Sequence, residues 1–217
     1  MYLCIDIGTN SIRVLEKDSS GKISRWGKLE RPAKPFHTSI SPMEEKDVVE
    51  HLGILLAKMN VTPRAAVAYI PAFLTFTAIA ESADLNRIPA APGTFKIDAV
   101  GIAPNKFFLT AVPNDVIEKY GRVLGGVGFE SASWESKSLI LAKNFSNSVE
   151  SILIVDLDER STTFVVARNA QPIFVEQTDF TLASDSPDVI LNKVKNIVAE
   201  KKIKNIKWVT KDHFLIF

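Results

Sequence analysis

The chain has 217 residues, 46% of them hydrophobic and 24% charged, which is enough for an ordinary packed core or two modest subdomains. Twenty-six basic against 25 acidic residues leave a net charge of +1, so no global field draws the protein to nucleic acid or anionic lipid. The single cysteine, Cys4, excludes an internal disulfide and suits a reducing compartment, and no apolar run reaches the roughly 18 residues of a membrane span.

Tyr2 to Ile7, Ile12 to Lys17 and Ile23 to Lys28 read as three strands of a meander, the last two joined by the turn formers Asp18-Ser19-Ser20-Gly21. The start, Met1-Tyr2-Leu3-Cys4-Ile5-Asp6, lacks the basic region and long apolar core of a signal peptide. Arg31 to Ile40, with Pro32 and Pro35, reads as an irregular connection. Ser41-Pro42-Met43-Glu44 then combines capping-box spacing with proline at the first helical position. Val48, Val49, Leu52, Leu55, Leu56 and Met59 fall on one face of that helix, and Ala65 to Ile70 reads as a buried strand.

From Ala72 to Phe108 the pattern weakens, with strands at Phe73 to Ile79 and Phe107 to Val112 and a loop at Ile88 to Gly93, as for a small inserted subdomain. Asn114 to Gly125 is an amphipathic helix with Val116, Ile117, Tyr120, Val123 and Leu124 inward, ended by Gly125-Gly126-Val127-Gly128. That glycine cluster follows a helix rather than a strand, so it reads as a cap and not as a phosphate loop. Phe129 to Trp134 reads as a strand and Lys137 to Phe145 as a helix. A second meander follows at Ile152 to Asp156, Thr162 to Arg168 and Pro172 to Gln177. Ser186-Pro187 opens a last helix with Ile190, Val194, Ile197 and Val198 inward, and Ile206 to Val209 starts a final strand. The basic run Lys193 to Lys207 reads as the solvated face of that helix.

Meander, helix and strand thus occur twice in the same order, and the two meanders share a motif. Asp6-Ile7-Gly8-Thr9-Asn10-Ser11 aligns with Asp156-Leu157-Asp158-Glu159-Arg160-Ser161. In the first copy, Gly8 would let the backbone approach a phosphate, Thr9, Asn10 and Ser11 would add donors, and Asp6 could hold a hydrated Mg²⁺. The competing reading is a polar β-turn with a satisfied aspartate. In the second copy Asp156 is kept, but Asp158 and Glu159 stand where a phosphate needs neutral donors. Unit charges about 4 Å apart repel by about 4 kcal/mol at an effective dielectric near 20, which argues against turnover unless the carboxylates hold a metal themselves. His37, His51 and His213 have no metal-ligand spacing to one another or to Cys4. Trp26, Trp134 and Trp208 lack the spacing of a base-stacking platform and read as core or interface packing.

Three segments carry a family resemblance: Cys4 to Glu16, Phe107 to Val127 followed by Gly128-Phe129-Glu130, and Ile152 to Phe174 with Asp156 and Thr162-Thr163. They resemble the actin-like ATPase superfamily and, within it, the PilM group of type IV pilus assembly, related to the division protein FtsA. The resemblance implies an α/β fold of duplicated actin-like (ribonuclease H-like) βββαβ lobes, with a small inserted α+β subdomain and a truncated second lobe. The expected boundaries are residues 1–71 for the first lobe, 72–128 for the insert, and 129–217 for the return to the first lobe and the reduced second lobe. It also implies nucleotide-binding residues Asp6, Gly8, Thr9, Asn10, Ser11 and Asp156, with Mg²⁺ held through water at Asp6, and ATP and Mg as cofactors. The chain departs from the family pattern. Ile206-Lys207-Trp208-Val209-Thr210 is followed by Lys211-Asp212-His213 rather than by a glycine-rich adenosine turn, and Asp158 replaces a glycine. These departures imply a pseudo-ATPase scaffold with no catalytic residues and with nucleotide binding weak or lost, as in actin-like platform proteins of the GspL type. The expected partner is an inner-membrane protein of the PilN type, whose N-terminal cytoplasmic peptide lies, in PilM relatives, in a groove between the first lobe and its insert. The expected location is cytoplasmic, at the inner membrane through that partner, with no direct membrane insertion and no nucleic acid. The alternative is an active ATPase or phosphotransferase binding Mg-ATP.

Overall fold

A computed structural model describes residues 2–8, 11–18, 20, 22–31, 42–63, 65–81, 93–157, 161–179, 181 and 185–210. In chain order these form β1 (Tyr2–Ile7), β2 (Ser11–Lys17), β3 (Ile23–Glu30), α1 (Pro42–Met59), β4 (Ala65–Ile70), β5 (Phe76–Ala80), β6 (Phe95–Ala103) and β7 (Lys106–Pro113). There follow α2 (Asn114–Gly126), β8 (Ser131–Ser136), α3 (Lys137–Phe145), β9 (Ile152–Leu157), β10 (Thr162–Arg168), β11 (Gln171–Thr178), α4 (Pro187–Lys201) and β12 (Asn205–Thr210). The expected connection at 32–40, the capping serine Ser41, the loop at 88–92 and the histidines His37 and His213 lie outside the described residues. The chain divides into two compact units, residues 1–70 with 113–135 and residues 71–112 with 136–217.

In the first unit the sheet runs β3-β2-β1-β4-β8, with β1 antiparallel to β2 and parallel to β4. A strand with neighbours on both sides and both faces covered needs apolar residues nearly throughout, and Leu3, Cys4, Ile5 and Ile7 of β1 are all buried. The Asp18 carboxylate shapes the β2–β3 turn by accepting from the backbone N–H groups of Ser20 and Lys22 at 2.8 and 3.0 Å. Helix α1 buries Val48, Leu52, Leu55 and Leu56, and it lies so close to β3 that a Cβ on Gly27 would meet Leu55 Cδ1 and Met59 Sδ at 2.8 Å. Arg25 of β3 donates to the Met59 carbonyl at 3.1 Å, tying the end of α1 to the sheet.

Helix α2 packs on α1 with Gly126 against Val49, where a Cβ would come within 3.0 Å. It ends in a Schellman-type turn, with Gly128 at φ +92° and Phe129 N donating to Leu124 O at 3.1 Å, so the glycine cluster is a helix end. Arg122 of α2 forks onto Glu45 of α1 at 2.8 and 2.9 Å. Lys119, one turn away, is buried, and that burial draws its pKa below the usual 10.5 against the pull of Glu45 and Glu44.

In the second unit one sheet runs β11-β10-β9-β12, with β9 parallel to β12, and a second runs β5-β7-β6. Period-two alternation sends Leu153, Val155, Phe164 and Val166 to one face, against Ile190, Val194 and Ile197 of α4. Ile154, Val165, Ala167 and Val209 share the other face with Leu141 and Ala142 of α3. The three-stranded sheet joins this core through Phe108 and Ile102, packed with Leu139 of α3 and Val175 of β11.

Two readings of this region change. The stretch 73–79 is not one strand: a 3-10 turn at Ala72–Leu74 precedes β5. Strand β6 escapes the sequence reading because its apolar alternation, Phe95-Lys96-Ile97-Asp98, is short and most of its residues are exposed. Trp26 on edge strand β3 is 66% exposed, so it is not a core residue, whereas Trp134 packs edge-on against Tyr120 at 5.6 Å.

The Arg122 hydrogen bond holds the Glu45 carboxyl below its usual 4.5. A depressed carboxyl pKa contributes stability that is present above the unfolded value and lost as pH falls through the folded one. Stability measured by urea unfolding is therefore expected to fall between roughly pH 5 and pH 3, and the fall should be shallower in Arg122→Ala.

Candidate functional site

The duplicated motif is a duplicated geometry. Ile7 pairs with Ile12 and Asp6 with Arg13 in the first hairpin, while Leu157 pairs with Thr162 and Asp156 with Thr163 in the second. The connections, 8–11 and 158–161, are equal in length, so each acid sits one residue before the end of its strand. Of the expected site residues, Thr9 and Asn10 lie outside the described residues, as do Asp158, Glu159 and Arg160.

In the first hairpin Gly8 N donates to Ser11 O at 2.9 Å, so this N–H is already engaged within the turn. A Cβ on Gly8 would stand 3.1 Å from the same carbonyl. Glycine is needed here for close approach rather than for a left-handed backbone, since the described glycines with positive φ are Gly93 and Gly128. Asp6 is met by a cation from the same hairpin. Arg13, its cross-strand neighbour, brings Nη1 to 3.2 Å from Oδ2, with the two side chains 14% and 17% exposed. Tyr120 of α2 is fully buried close by, and burial first, then the charge of Asp6, raises its phenol well above the usual 10.0.

In the second hairpin the cation comes from elsewhere. Lys137 Nζ lies 2.7 Å from Asp156 Oδ2, with the side chains 8% and 3% exposed. Asp156 follows Ile154 by two on β9 and so points to the face covered by α3, where Lys137 is the first helical residue. Ser136 caps that helix by accepting from Leu139 N at 3.4 Å. A lysine in the first turn opposes the helix dipole, and a buried charge costs several kcal/mol of desolvation, which the carboxylate beside it helps to offset. Ser161 and Thr163 are buried at the same end of the sheet, and their hydroxyls have no hydrogen-bond partner among the described residues.

The two cations that pair with the hairpin acids were thus absent from the expected site residues. Arg13 was within reach of sequence reasoning, because a hairpin with a four-residue connection places it opposite Asp6. Lys137 had only a weak signal, a lysine where a helix start favours acids.

No family model and no curated protein matches the chain. Solved structures do. A PilM-PilN type IV pilus biogenesis complex aligns at TM-score 0.69 and 13% identity, over 94% of this chain and 66% of that one. An actin-like ATPase-fold protein from Bacteroides thetaiotaomicron aligns at 0.61 and 8% identity, over 98% and 82%. This chain has an actin-like fold. The cytoplasmic domain of EpsL, an inner-membrane component of the Vibrio cholerae type II secretion system, aligns at 0.56 and 9% identity, over 96% and 82%. The chain therefore spans just under two thirds of the pilus protein's length.

Removing one member of a fully buried pair strands the other, whereas the first hairpin's acid keeps some access to water. Lys137→Ala is expected to cost about 3–5 kcal/mol and Arg13→Ala about 1–2 kcal/mol in denaturant unfolding. Equal losses would show that the two pairs do not differ in burial as described.

Proposed function

We propose that this protein is a scaffold of a type IV pilus or related secretion platform. It docks the cytoplasmic tail of an inner-membrane partner of the PilN type, with nucleotide binding weak or lost. The observation that carries this reading is the alignment of 94% of the chain with a PilM-PilN complex. The likeness to the cytoplasmic domain of a secretion-system membrane component points the same way. Among the described residues no helix is long and apolar enough to cross a membrane, which fits a cytoplasmic protein held at the inner membrane through its partner. The proposed organisation is a first lobe at 1–71, an insert at 72–128, and the remainder at 129–217.

A short tail binds most economically by pairing its backbone with a free strand edge and seating a few apolar side chains. In the second unit, β5 and β11 each end a sheet, and between them lies a groove of about 140 Å³ lined by Ala78, Ile79, Ile173, Phe174 and Val175. Its apolar walls and flanking edges suit an extended peptide. The reduced capacity for nucleotide in this proposal draws support from the engaged Gly8 N–H and from the two acids already paired with cations.

The test is calorimetric titration of the whole protein with a synthetic peptide of the cytoplasmic N-terminus of a PilN-type inner-membrane protein from the same organism. Saturable micromolar binding is expected, weakened at least tenfold by Ile173→Arg at the groove rim, as for loss of a central apolar contact. Absence of binding at millimolar peptide would contradict the docking reading.

A further inference from the structure

An actin-like fold implies a divalent ion held through its hairpin carboxylates, and the described surroundings of Asp6 and Asp156 do not fit one. Mg²⁺ takes about six oxygen ligands in near-octahedral geometry at roughly 2.0–2.1 Å and is repelled by a neighbouring cation. Among the described residues no group of three or more His, Cys, Asp or Glu side chains could hold a metal. Each hairpin offers one described acid, and each acid already has a basic group at ion-pair distance, Arg13 at 3.2 Å and Lys137 at 2.7 Å.

We propose that Arg13 and Lys137 are built-in counter-cations that take the place of the divalent ion at Asp6 and Asp156, so that neither of these two carboxylates holds a metal. Three observations set this apart from ordinary ion pairing. The two acids occupy the same register position in the duplicated hairpins, beside a connection of the same length. The cations come from non-equivalent elements, a cross-strand arginine in one unit and the first residue of a helix in the other, so duplication did not copy one solution into both. Lys137 is held where burial and the helix dipole both oppose it, a local conflict that a protein retains at a site with a task. An ammonium 2.7 Å from the carboxylate supplies the charge a metal would supply, and it also blocks the space that a metal or its inner water would fill.

The inference does not depend on the docking proposal, and its test uses no peptide and no nucleotide. Mn²⁺ alone is titrated into the whole protein and the free ion is followed by electron paramagnetic resonance, with thermal unfolding measured in parallel at constant ionic strength. The wild-type protein is expected to leave Mn²⁺ free up to about 1 mM and to melt at the same temperature with Mn²⁺ or with EDTA. Lys137→Ala, which opens space beside Asp156, is expected to bind Mn²⁺ and to recover roughly 5 °C of its lost melting temperature when the ion is added in excess. The Lys137→Met/Asp156→Leu protein, with neither charge, is expected to fold and to be insensitive to the ion. Sub-millimolar Mn²⁺ binding by the wild type that disappears in Asp156→Asn or Asp6→Asn would overturn the proposal. A folded Lys137→Ala protein that neither binds nor is stabilised by Mn²⁺ would also overturn it. If Lys137→Ala fails to fold, the wild-type titration decides alone.

Discussion

An ionised carboxylate taken out of water must be met by a cation or by several donors, because the desolvation of a single charge costs several kcal/mol. The hairpins impose that requirement at two equivalent points, and much of the local structure follows from how it is met. Asp156 is only 2% exposed, on a strand whose neighbours Leu153, Ile154 and Val155 are fully buried. The cation that satisfies it is the first residue of α3, so the ion pair fixes where this helix begins over the sheet. The helix then covers Ile154, Val165 and Ala167 with Leu141 and Ala142. At Asp6 the same requirement is met within the hairpin, which leaves the acid partly wet and the pair less costly to break.

Keeping the scaffold while meeting its charges internally changes what the fold can be asked to do. In a nucleotide-dependent protein the hairpin acids gain their counter-charge from a ligand, and closure reports that the ligand is present. Here Asp6 and Asp156 each have a cation at ion-pair distance within their own unit. Under the proposed function, this arrangement suits a platform that must be shaped at all times. The likeness to the pilus and secretion-system structures is one of fold.

Much of the fold could be read in the sequence because its strongest signals are local. The two meanders, the helix faces of α1 and α4, and the equal spacing of Asp6 and Asp156 from the next strand all follow from periodicity and turn chemistry. Strand β6 escapes that reading, since its alternation runs only from Phe95 to Ala99 before Val100-Gly101 breaks it and most of its residues are exposed. So does the burial of Lys119, a long side chain laid into the contact between α1 and α2. At Gly8 the missing Cβ allows close contact with the Ser11 carbonyl, a local packing reason that the motif alone does not reveal. The site itself was half legible. Arg13 follows from hairpin register, whereas Lys137 lies 19 positions before Asp156, and their meeting depends on which face of which sheet α3 covers. That is decided by tertiary packing, which no local pattern encodes.

The central claim is that the hairpin acids are neutralised from within. The most direct test is calorimetric titration of the whole protein with ATP, once with Mg²⁺ and once with EDTA, and with ADP as control. The account predicts the same weak or undetectable heat in both buffers. Micromolar binding that requires Mg²⁺ would contradict it, because the ion would then have to displace Arg13 or Lys137 from carboxylates they already hold.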